Sequence, residues 1–386
     1  MGGTDFLDLD DQLPDDELMI RDTVRRFVDD KWIPVVAEHF EAGTFPHDLV
    51  PLIGEMGLLG MHLEGYGCAG ASATAYGVAC RELERGDSGL RSFVSVQGSL
   101  CMFPIWAYGT EEQKQRYLPS MATGELIGCF GLTEPDHGSD PGSMATTARR
   151  DGDDWVLNGT KRWITNGSLA DVAIVWARTD EGVRGFLVDR DTPGFEAFDI
   201  EKKLSLRASH TSELVLTDVR VPESQRLPEA HGLRAPLGCL AEARYGIAWG
   251  AVGAAIACYE SALDYQLARP QFGRPLAGFQ LNQAKFADMI TQITLGQLLA
   301  SRLGVLKDAG TITTEQVSMG KRNNVAMALQ IAREARSMLG ANGVSLEYPV
   351  IRHMTNLESV FTYEGTHEVH ALVLGQHVTG LSAFRG

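Results

Sequence analysis

The segment WVLNGTKRWIT at residues 155–165 carries the clearest β pattern in the chain. Two runs rich in aromatic and β-branched residues, Trp155–Leu157 and Thr160–Thr165, flank the dipeptide Asn158-Gly159. Asn-Gly readily takes the positive φ angles that a two-residue hairpin needs. The segment therefore predicts a β-hairpin, with an antiparallel β domain around it.

Further short runs of strand-forming residues, separated by turn residues, extend on both sides of this segment from about Cys129 to Pro228. Outside that region the apolar residues return at helical spacings of three and four. A Thr313-x-x-Gln316 capping box opens one of the later helices. We predict an α+β multi-domain protein, with an N-terminal helical domain at 1–128, a middle antiparallel β domain at 129–231 and a C-terminal helical domain at 232–386.

Composition narrows the class of protein. The chain has 386 residues, 44% hydrophobic and 22% charged, with a formal net charge of -16, which is typical of soluble globular proteins and disfavours binding to nucleic acid or anionic membranes. The six scattered cysteines indicate neither a disulfide framework nor a metal site. We expect no membrane insertion, because no apolar run is long enough to span a bilayer. The acidic N-terminus lacks an export pattern, so we expect a cytoplasmic protein, or the mature mitochondrial matrix form in a eukaryote.

Four places combine residue types that a reaction site needs, and each also has an ordinary explanation. The loop Cys129–Asp140 offers hydroxyls and backbone N–H groups, but loops of this composition are common. Trp163 can cover a planar cofactor or simply belong to a core. The turn Arg269–Arg274 can hold a pyrophosphate or lie solvated. Glu364, between Tyr363 and Gly365, can be a catalytic acid or a surface carboxylate.

Taken together and in order, these segments resemble the acyl-CoA dehydrogenase family along nearly the whole chain. The matching segments are FGLTEP at 130–135, GSD at 138–140, NGTK at 158–161, WITN at 163–166, RPQFG at 269–273 and YEGT at 363–366. Within the family the chain is most similar to the glutaryl-CoA dehydrogenase branch. That likeness lies in RELERGDSGLRS at 81–92, ARYGIAW at 243–249 and YEGTHEVH at 363–370.

The resemblance implies a homotetramer whose C-terminal domain is like a four-helix bundle. FAD would lie extended between the β domain and the C-terminal helices, with its adenine half reaching a neighbouring subunit. The residues implied to line the flavin are Phe130, Leu132, Thr133, Ser139, Trp163, Ile164 and Thr165. Those implied to hold the rest of the cofactor are Arg269, Phe272, Gln280, Leu339, Gly340, Gly343 and Thr366.

The resemblance also implies that Glu364 is the catalytic base. The α-hydrogen of a thioester is weakly acidic, so its base needs a dry pocket that raises the carboxyl pKa. The thioester oxygen would accept hydrogen bonds from the flavin ribityl hydroxyl and the Glu364 N–H, and hydride would pass from the β-carbon to flavin N5. Electrons would then go to an electron-transfer flavoprotein. Some branches place the base just before the arginine matched by Arg244, but Ala243 stands there, and Glu242 is one residue off.

The same likeness implies a dicarboxylic substrate. Arg91 matches the arginine that binds the distal carboxylate of glutaryl-CoA; the other residues implied to contact the substrate are Glu84, Ser92, Ser95, Ser139, Arg244, Tyr363 and Gly365. Oxidation with decarboxylation to crotonyl-CoA and CO2 is favoured. The alternative for Arg91 is an ordinary pair with Asp87 at i,i+4 on a surface helix.

Other functions stay open from the sequence. The chain can be a short-chain or other dicarboxylyl acyl-CoA dehydrogenase without decarboxylation, or an oxidase that returns electrons to O2. A helical interaction protein that has lost flavin is a further alternative. Leu90 and Val94 depart from residues common in relatives, which bears on pocket depth.

Overall fold

The first third of the chain is helical. A computed structural model describes residues 3–384, and in it seven helices precede the first strand. They are α1 Asp15–Phe27, α2 Ile33–Ala42, α3 Val50–Glu55, α4 Ala73–Gly86, α5 Ser88–Ser95, α6 Phe103–Tyr108 and α7 Glu111–Thr123.

Helix α1 shows why the sequence folds this way. Val24, Phe27 and Val28 recur at helical spacing, and all three side chains are buried. Acidic side chains occupy the first turn, where the helix dipole favours negative charge. A π-type turn at Val28–Trp32 then carries the chain into α2 without a break. The predicted helical character of the N-terminal region is confirmed.

The middle of the chain forms a seven-stranded sheet in the order β1-β4-β2-β3-β7-β6, with β5 paired to β4. The strands are β1 Gly128–Gly131, β2 Thr147–Asp151, β3 Asp154–Thr165, β4 Val172–Thr179, β5 Gly182–Asp189, β6 Phe195–Asp199 and β7 Thr211–Pro222. Most pairs are antiparallel, as predicted, but β4 runs parallel to β1 and, at Thr147 and Arg178, also to β2. The sheet is therefore mixed. The chain between β1 and β4 contains β2 and β3, and this long connection lets β4 run parallel to β1.

The predicted hairpin at Asn158-Gly159 was wrong, because β3 continues straight through the dipeptide. The turn lies earlier, between β2 and β3, where Gly152 has φ 64°. At Asn158-Gly159 the pairing with β7 shifts register instead, so the dipeptide forms a β-bulge. The Asn158 side chain bonds the backbone N–H and carboxylate of Asp218 at 2.9 and 3.0 Å. A Cβ at Gly159 would lie 2.3 Å from the Thr146 hydroxyl.

The last third is again helical, which confirms the helix, strand, helix order. Its helices are α8 Arg234–Ala268, α9 Gln280–Asp308, α10 Thr314–Met338, α11 Val350–Thr362 and α12 His367–Thr379; a small ribbon, β8 Pro270–Gln271 with β9 Arg274–Pro275, joins α8 to α9. The capping box at Thr313 and Gln316 is present and opens α10. By length and composition α8 can cross a membrane, contrary to our expectation, but 72% of its apolar window is buried inside the protein.

Helices α4 and α8 cross in close contact, and two glycines of α8 make this possible. A Cβ at Gly253 would lie 1.8 Å from the Arg81 carbonyl oxygen of α4. A Cβ at Gly250 would lie 2.1 Å from the Glu84 carboxylate. Neither position has room for a side chain, so α4 and α8 pack with their backbones in close contact.

We expect Gly253→Ala to lower the free energy of unfolding by about 3 kcal/mol, the upper end for overpacking, because the new methyl overlaps backbone that cannot rotate away. Gly375→Ala in α12 is the matched control, since no described heavy atom lies within 4 Å of its added Cβ. The control should be stabilised by up to about 1 kcal/mol through helix propensity. Equilibrium urea unfolding of both variants measures the difference, and equal effects would contradict the packing argument.

Candidate active site

Glu364 lies in the short turn between α11 and α12. The turn is tight: Glu364 has φ 51° and Gly365 has φ 91°, both in the left-handed region. The Thr366 hydroxyl accepts a hydrogen bond from the Val369 N–H at 3.2 Å and so caps α12. A non-glycine residue in this conformation is strained, and such strain concentrates at functional sites.

The Glu364 side chain is partly buried, and one oxygen of its carboxyl has no direct partner among the described residues. Its Oε2 is buried and makes no hydrogen bond within residues 3–384. Burial raises the pKa of this carboxyl above its ordinary value, and the positive charges of Arg91, Arg244 and Lys321 partly oppose the rise. A carboxylate with a raised pKa in a dry site is suited to proton transfer.

Two cations, the partly buried Arg244 and the buried Lys321, hold the backbone of the turn. Arg244 on α8 donates from Nε to the Glu364 carbonyl at 2.7 Å. Lys321 on α10 donates to the carbonyls on either side, at 2.9 Å to Tyr363 and 2.7 Å to Gly365. The Glu364 N–H has no acceptor among the hydrogen bonds of residues 3–384. This N–H is therefore available to a substrate oxygen.

Beside the turn, Arg91 and Glu84 form a buried ion pair, with side chains 1% and 0% exposed. Arg91 Nε donates to Glu84 Oε2 at 2.7 Å, and a second N–H of the guanidinium donates to the Tyr363 hydroxyl. Ser88 donates to the other Glu84 oxygen at 2.8 Å, and Ser92 lies 3.3 Å from the Tyr363 hydroxyl. The bonds to Glu84 and Tyr363 use two of the five N–H donors of the Arg91 guanidinium, so three donors remain for a ligand.

Asp87 is not the partner of Arg91, so the ordinary surface pair considered above is not formed. The Asp87 carboxylate bonds Arg352 and also Asn356, at 2.9 Å, on α11. Its other oxygen accepts from the Gly89 N–H at 2.6 Å and caps α5. Asp87 thus fastens α11 to α5, which leaves Arg91 to Glu84.

A second group of predicted residues meets where β1 ends beside β3. The Arg162 N–H donates to the Thr133 carbonyl at 2.8 Å, and Lys161 Nζ donates to the Leu132 carbonyl at 3.1 Å. These bonds bring the loop after β1 next to Trp163, which has φ 63° and is 55% exposed. Trp163 is therefore not a core residue, and its indole is available to a flat ligand.

A third group lines an open groove of about 460 Å³ at the far end of α8 and α10. Arg269, Leu339 and Gly340 line it together with Tyr265 and Asn342. The other residues implied to hold this part of the cofactor, Phe272, Gln280, Gly343 and Thr366, are outside this lining. Within the described residues, no hydrogen bond or ion pair joins this groove to Glu364.

Several predicted residues lie apart from these groups. Ser139 is exposed on its loop, and Phe272 is 93% exposed. Phe130 and Ile164 are buried in the core, so only their backbones can face a ligand. Ser95 is fully buried, on the last turn of α5.

The alternative position for an acid, on α8 just before Arg244, holds no carboxylate, because Ala243 occupies it. Ala243 is fully buried, and Glu242 bonds Lys307 of α9 at 2.7 Å, so it faces away from the turn that holds Glu364. Glu364 therefore has no rival carboxylate on this stretch of α8.

Lys321 is the site residue that the sequence analysis missed. Its side chain is buried on the apolar face of α10, at helical spacing with Val317, Val325 and Ala328. A lysine within such an apolar stripe is the signal that could have identified it, because an unpaired buried charge is costly.

Family models match three successive parts of the chain. They describe the acyl-CoA dehydrogenase N-terminal domain at residues 14–125, the middle domain at 129–219 and the C-terminal domain at 230–379. The chain belongs to the acyl-CoA dehydrogenase family.

Individual relatives extend the comparison. The mitochondrial short-chain specific acyl-CoA dehydrogenase of Bos taurus is 38% identical over 374 residues, covering 95% of this chain and 91% of its own. The crystal structure of a glutaryl-CoA dehydrogenase from Mycobacterium smegmatis is 60% identical with a TM-score of 0.98, and coverage is 100% of both chains. A glutaryl-CoA dehydrogenase from that organism in complex with FADH2 is 57% identical with a TM-score of 0.99, again over 100% of both chains.

We expect Glu84→Gln to lower the free energy of unfolding by about 3–5 kcal/mol, because it leaves the Arg91 guanidinium buried without a counter-ion. The double variant Glu84→Gln with Arg91→Met should recover most of this loss, since no unpaired charge is then buried. Urea unfolding of the two variants tests the pair. A double variant no more stable than the single one would show that the loss comes from packing instead.

Proposed function

We propose that this chain is an FAD-dependent glutaryl-CoA dehydrogenase that oxidises and decarboxylates glutaryl-CoA to crotonyl-CoA and CO2. The observation that carries the proposal is the buried guanidinium of Arg91, which bonds the hydroxyl of Tyr363, the residue before the base. A buried cation beside an acyl site is costly for an alkyl chain and favourable for a carboxylate.

The charges around the base support a substrate that carries an extra negative charge. The groups that act on Glu364 are three cations, Arg91, Arg244 and Lys321, and one acid, Glu84. With all of them ionised the site holds a net charge of +1, because three positive charges face the two carboxylates. A distal carboxylate brings the balance to zero, whereas a butyryl chain leaves one buried charge uncompensated.

The residues near β3 fit a flavin. Trp163 presents an exposed indole on a left-handed backbone position beside the Leu132 and Thr133 backbone. The groove at Arg269 offers a guanidinium to phosphate groups. The relative crystallised with FADH2 spans the whole chain, and the cofactor proposed here is FAD.

When bound, FAD supplies the acceptor for the hydride that leaves the substrate β-carbon. The chain's own residues do the rest. The free N–H of Glu364 donates to the thioester oxygen, which makes the α-hydrogen more acidic. The Glu364 carboxylate takes the α-proton, and enclosure of the carboxyl keeps water from competing for it.

Decarboxylation follows from the same arrangement. In glutaconyl-CoA the bond between the γ-carbon and the carboxylate breaks, CO2 leaves, and its electron pair passes into a dienolate that ends on the thioester oxygen. Protonated Glu364 then returns its proton to the γ-carbon, which gives crotonyl-CoA. Arg91 orients the carboxylate before this step, and Glu84 and Tyr363 hold Arg91 in place.

A short-chain or other dicarboxylyl acyl-CoA dehydrogenase that does not decarboxylate is the second candidate. The short-chain specific relative, 38% identical over most of the chain, favours the short-chain form. The short-chain function, however, gives no reason for a buried Arg91 beside Glu364.

Two partners belong to the proposal. The reoxidant is an electron-transfer flavoprotein, as the family resemblance implies. The assembly is a homotetramer, which is supported by large apolar side chains that α9 leaves exposed: Leu281 at 81%, Leu295 at 51% and Val305 at 51%. Exposed apolar groups along one long helix are typical of an interface between subunits.

Glu364→Gln should bind FAD and acyl-CoA but lose reduction of the flavin by at least about 10⁴-fold, because only proton abstraction is removed. Anaerobic stopped-flow absorbance of the bound flavin measures the rate. Glu242→Gln is the matched control and should change it by less than about threefold, since Glu242 faces Lys307. Rapid reduction in Glu364→Gln would refute the assignment of the base.

Turnover of glutaryl-CoA should yield crotonyl-CoA and one CO2, which mass spectrometry distinguishes from glutaconyl-CoA. Arg91→Gln should lower kcat/KM for glutaryl-CoA by about 10²-fold or more, equivalent to roughly 3 kcal/mol for a charged hydrogen bond. Butyryl-CoA should be affected much less. Faster oxidation of butyryl-CoA by the unmodified enzyme, with no CO2 from glutaryl-CoA, would select the second candidate.

A further inference from the structure

The three consecutive carbonyls of the turn Tyr363–Gly365 are all hydrogen-bonded by cationic side chains, of which Lys321 is buried and Arg244 partly buried. Arg244 takes the middle carbonyl at 2.7 Å, and Lys321 takes the outer two at 2.9 and 2.7 Å. With its carbonyls occupied in this way, the turn leaves the Glu364 N–H without an acceptor among residues 3–384. Lys321 alone makes two of the three bonds.

This turn needs external support. Glu364 adopts φ 51° although it is not glycine, and a Cβ at Gly365 would lie 2.9 Å from the His370 ring. A strained conformation persists only where the surroundings over-determine it. Lys321, which is 1% exposed, and Arg244 are the two side chains that hold the turn in this conformation.

We propose that Lys321 is a positioning residue for the catalytic base, acting in two ways. Its Nζ fixes the turn through the Tyr363 and Gly365 carbonyls, and its positive charge favours the ionised Glu364 carboxylate. The proposal rests on the proposed function, in which Glu364 removes the α-proton.

The charge of Lys321 is finely balanced by its neighbours. Burial lowers the pKa of Lys321 to about 7, while attraction to Glu364 opposes that change. The other titratable groups that act on Lys321 or Glu364 come from α4, α5, α8, α12 and the turn itself; they are Glu84, Arg91, Arg244, Tyr363, His367, Glu368 and His370. Burial and the nearby cations lower the pKa of His370 to about 3, so its ring is neutral and adds no charge.

The two roles can be separated because they depend on different properties of the amine. A neutral amine still has two N–H donors, one for each carbonyl, so deprotonation removes the charge and keeps both bonds. Lys321⁺ lowers the pKa of Glu364. Loss of that charge therefore raises the pKa of the base, and the fall in rate on acidification begins at a higher pH.

The experiment compares Lys321→Gln and Lys321→Met with the unmodified holoenzyme. Anaerobic flavin reduction by saturating glutaryl-CoA is recorded across the pH range. Lys321→Gln should move the acid limb up by about one pH unit, which is a tenfold lower rate on that limb. Lys321→Met should show the same shift and also a plateau rate at least tenfold lower, because both carbonyl bonds are lost.

A second readout avoids turnover. An acyl-CoA analogue with sulfur in place of the β-carbon can lose its α-proton to the base but has no hydride to give. Its absorbance change on binding, followed against pH, titrates Glu364 in each variant. The midpoint should rise by about one pH unit in both Lys321 variants. If Lys321→Met folds poorly, the titration of Lys321→Gln alone still tests the charge, because its amide N–H groups can keep the bonds to the turn.

Lys307→Met is the matched control, because Lys307 pairs with Glu242 at 2.7 Å in the same domain and lies outside the site. It should lower the thermal midpoint without moving the pH profile. Lys321 variants that lose thermal stability yet superimpose on the unmodified pH profile and analogue titration would overturn the proposal. Rapid flavin reduction in Glu364→Gln would instead overturn the proposed function.

Discussion

The close contact of α4 with α8 determines where the charged groups of the acyl site lie. Gly250 and Gly253 remove the side chains that would hold the two helices apart, and the Glu84 carboxylate occupies the space above Gly250. In this position Glu84 accepts a hydrogen bond from Arg91, which also donates to the Tyr363 hydroxyl. Arg244 lies earlier on α8, on a different face from the two glycines, and donates to the Glu364 carbonyl. Arg91, held by Glu84, and Arg244 of α8 thus both bond the turn that carries Glu364.

The cations near that turn all have hydrogen-bond partners among the described residues, whereas Oε2 of Glu364 is buried without one. Arg91 pairs with Glu84, whereas Arg244 and Lys321 bond backbone carbonyls. Burial of a charge is costly without such partners. Among these charged groups, Glu364 is the one whose buried oxygen lacks a hydrogen bond within residues 3–384. Burial raises the pKa of Glu364, and the three nearby cations only partly oppose that rise. A group perturbed in this way, in a strained turn and beside three cations, has the properties of a general base.

The domain order and the helical periods could be predicted from the sequence, because periodicity and capping boxes are local. Thr313 and Gln316 open α10 as predicted, and α1 buries the apolar face that its spacing indicated. The hairpin failed for the opposite reason. Asn158-Gly159 has the local preference of a tight turn, but Asp218 on a distant strand bonds Asn158 and converts the dipeptide into a bulge. Tertiary contacts decided between two structures that the same dipeptide permits.

The site shows a similar division. Glu364 and Arg91 stand in motifs that a resemblance can identify, and their roles remain predictions that the geometry supports. Lys321 could not be found in that way, because what it recognises is backbone at Tyr363 and Gly365, and carbonyl groups leave no residue pattern to match. The Glu84 partner of Arg91 was within reach, since both lie in one short segment. Its preference over Asp87 depended on Arg352, which comes from the far end of the chain.

Two cations of different chemistry support one turn, and the difference has a consequence for substrate charge. Arg244 remains charged at all ordinary pH values, whereas burial brings the pKa of Lys321 to about 7. A substrate carboxylate near Arg91 would raise the pKa of Lys321 by adding negative charge, and would keep it protonated. The same carboxylate would raise the pKa of Glu364, which the protonated Lys321 opposes. If the proposed substrate binds, the two cations would therefore respond differently, because Lys321 would gain protonation whereas Arg244 is charged throughout.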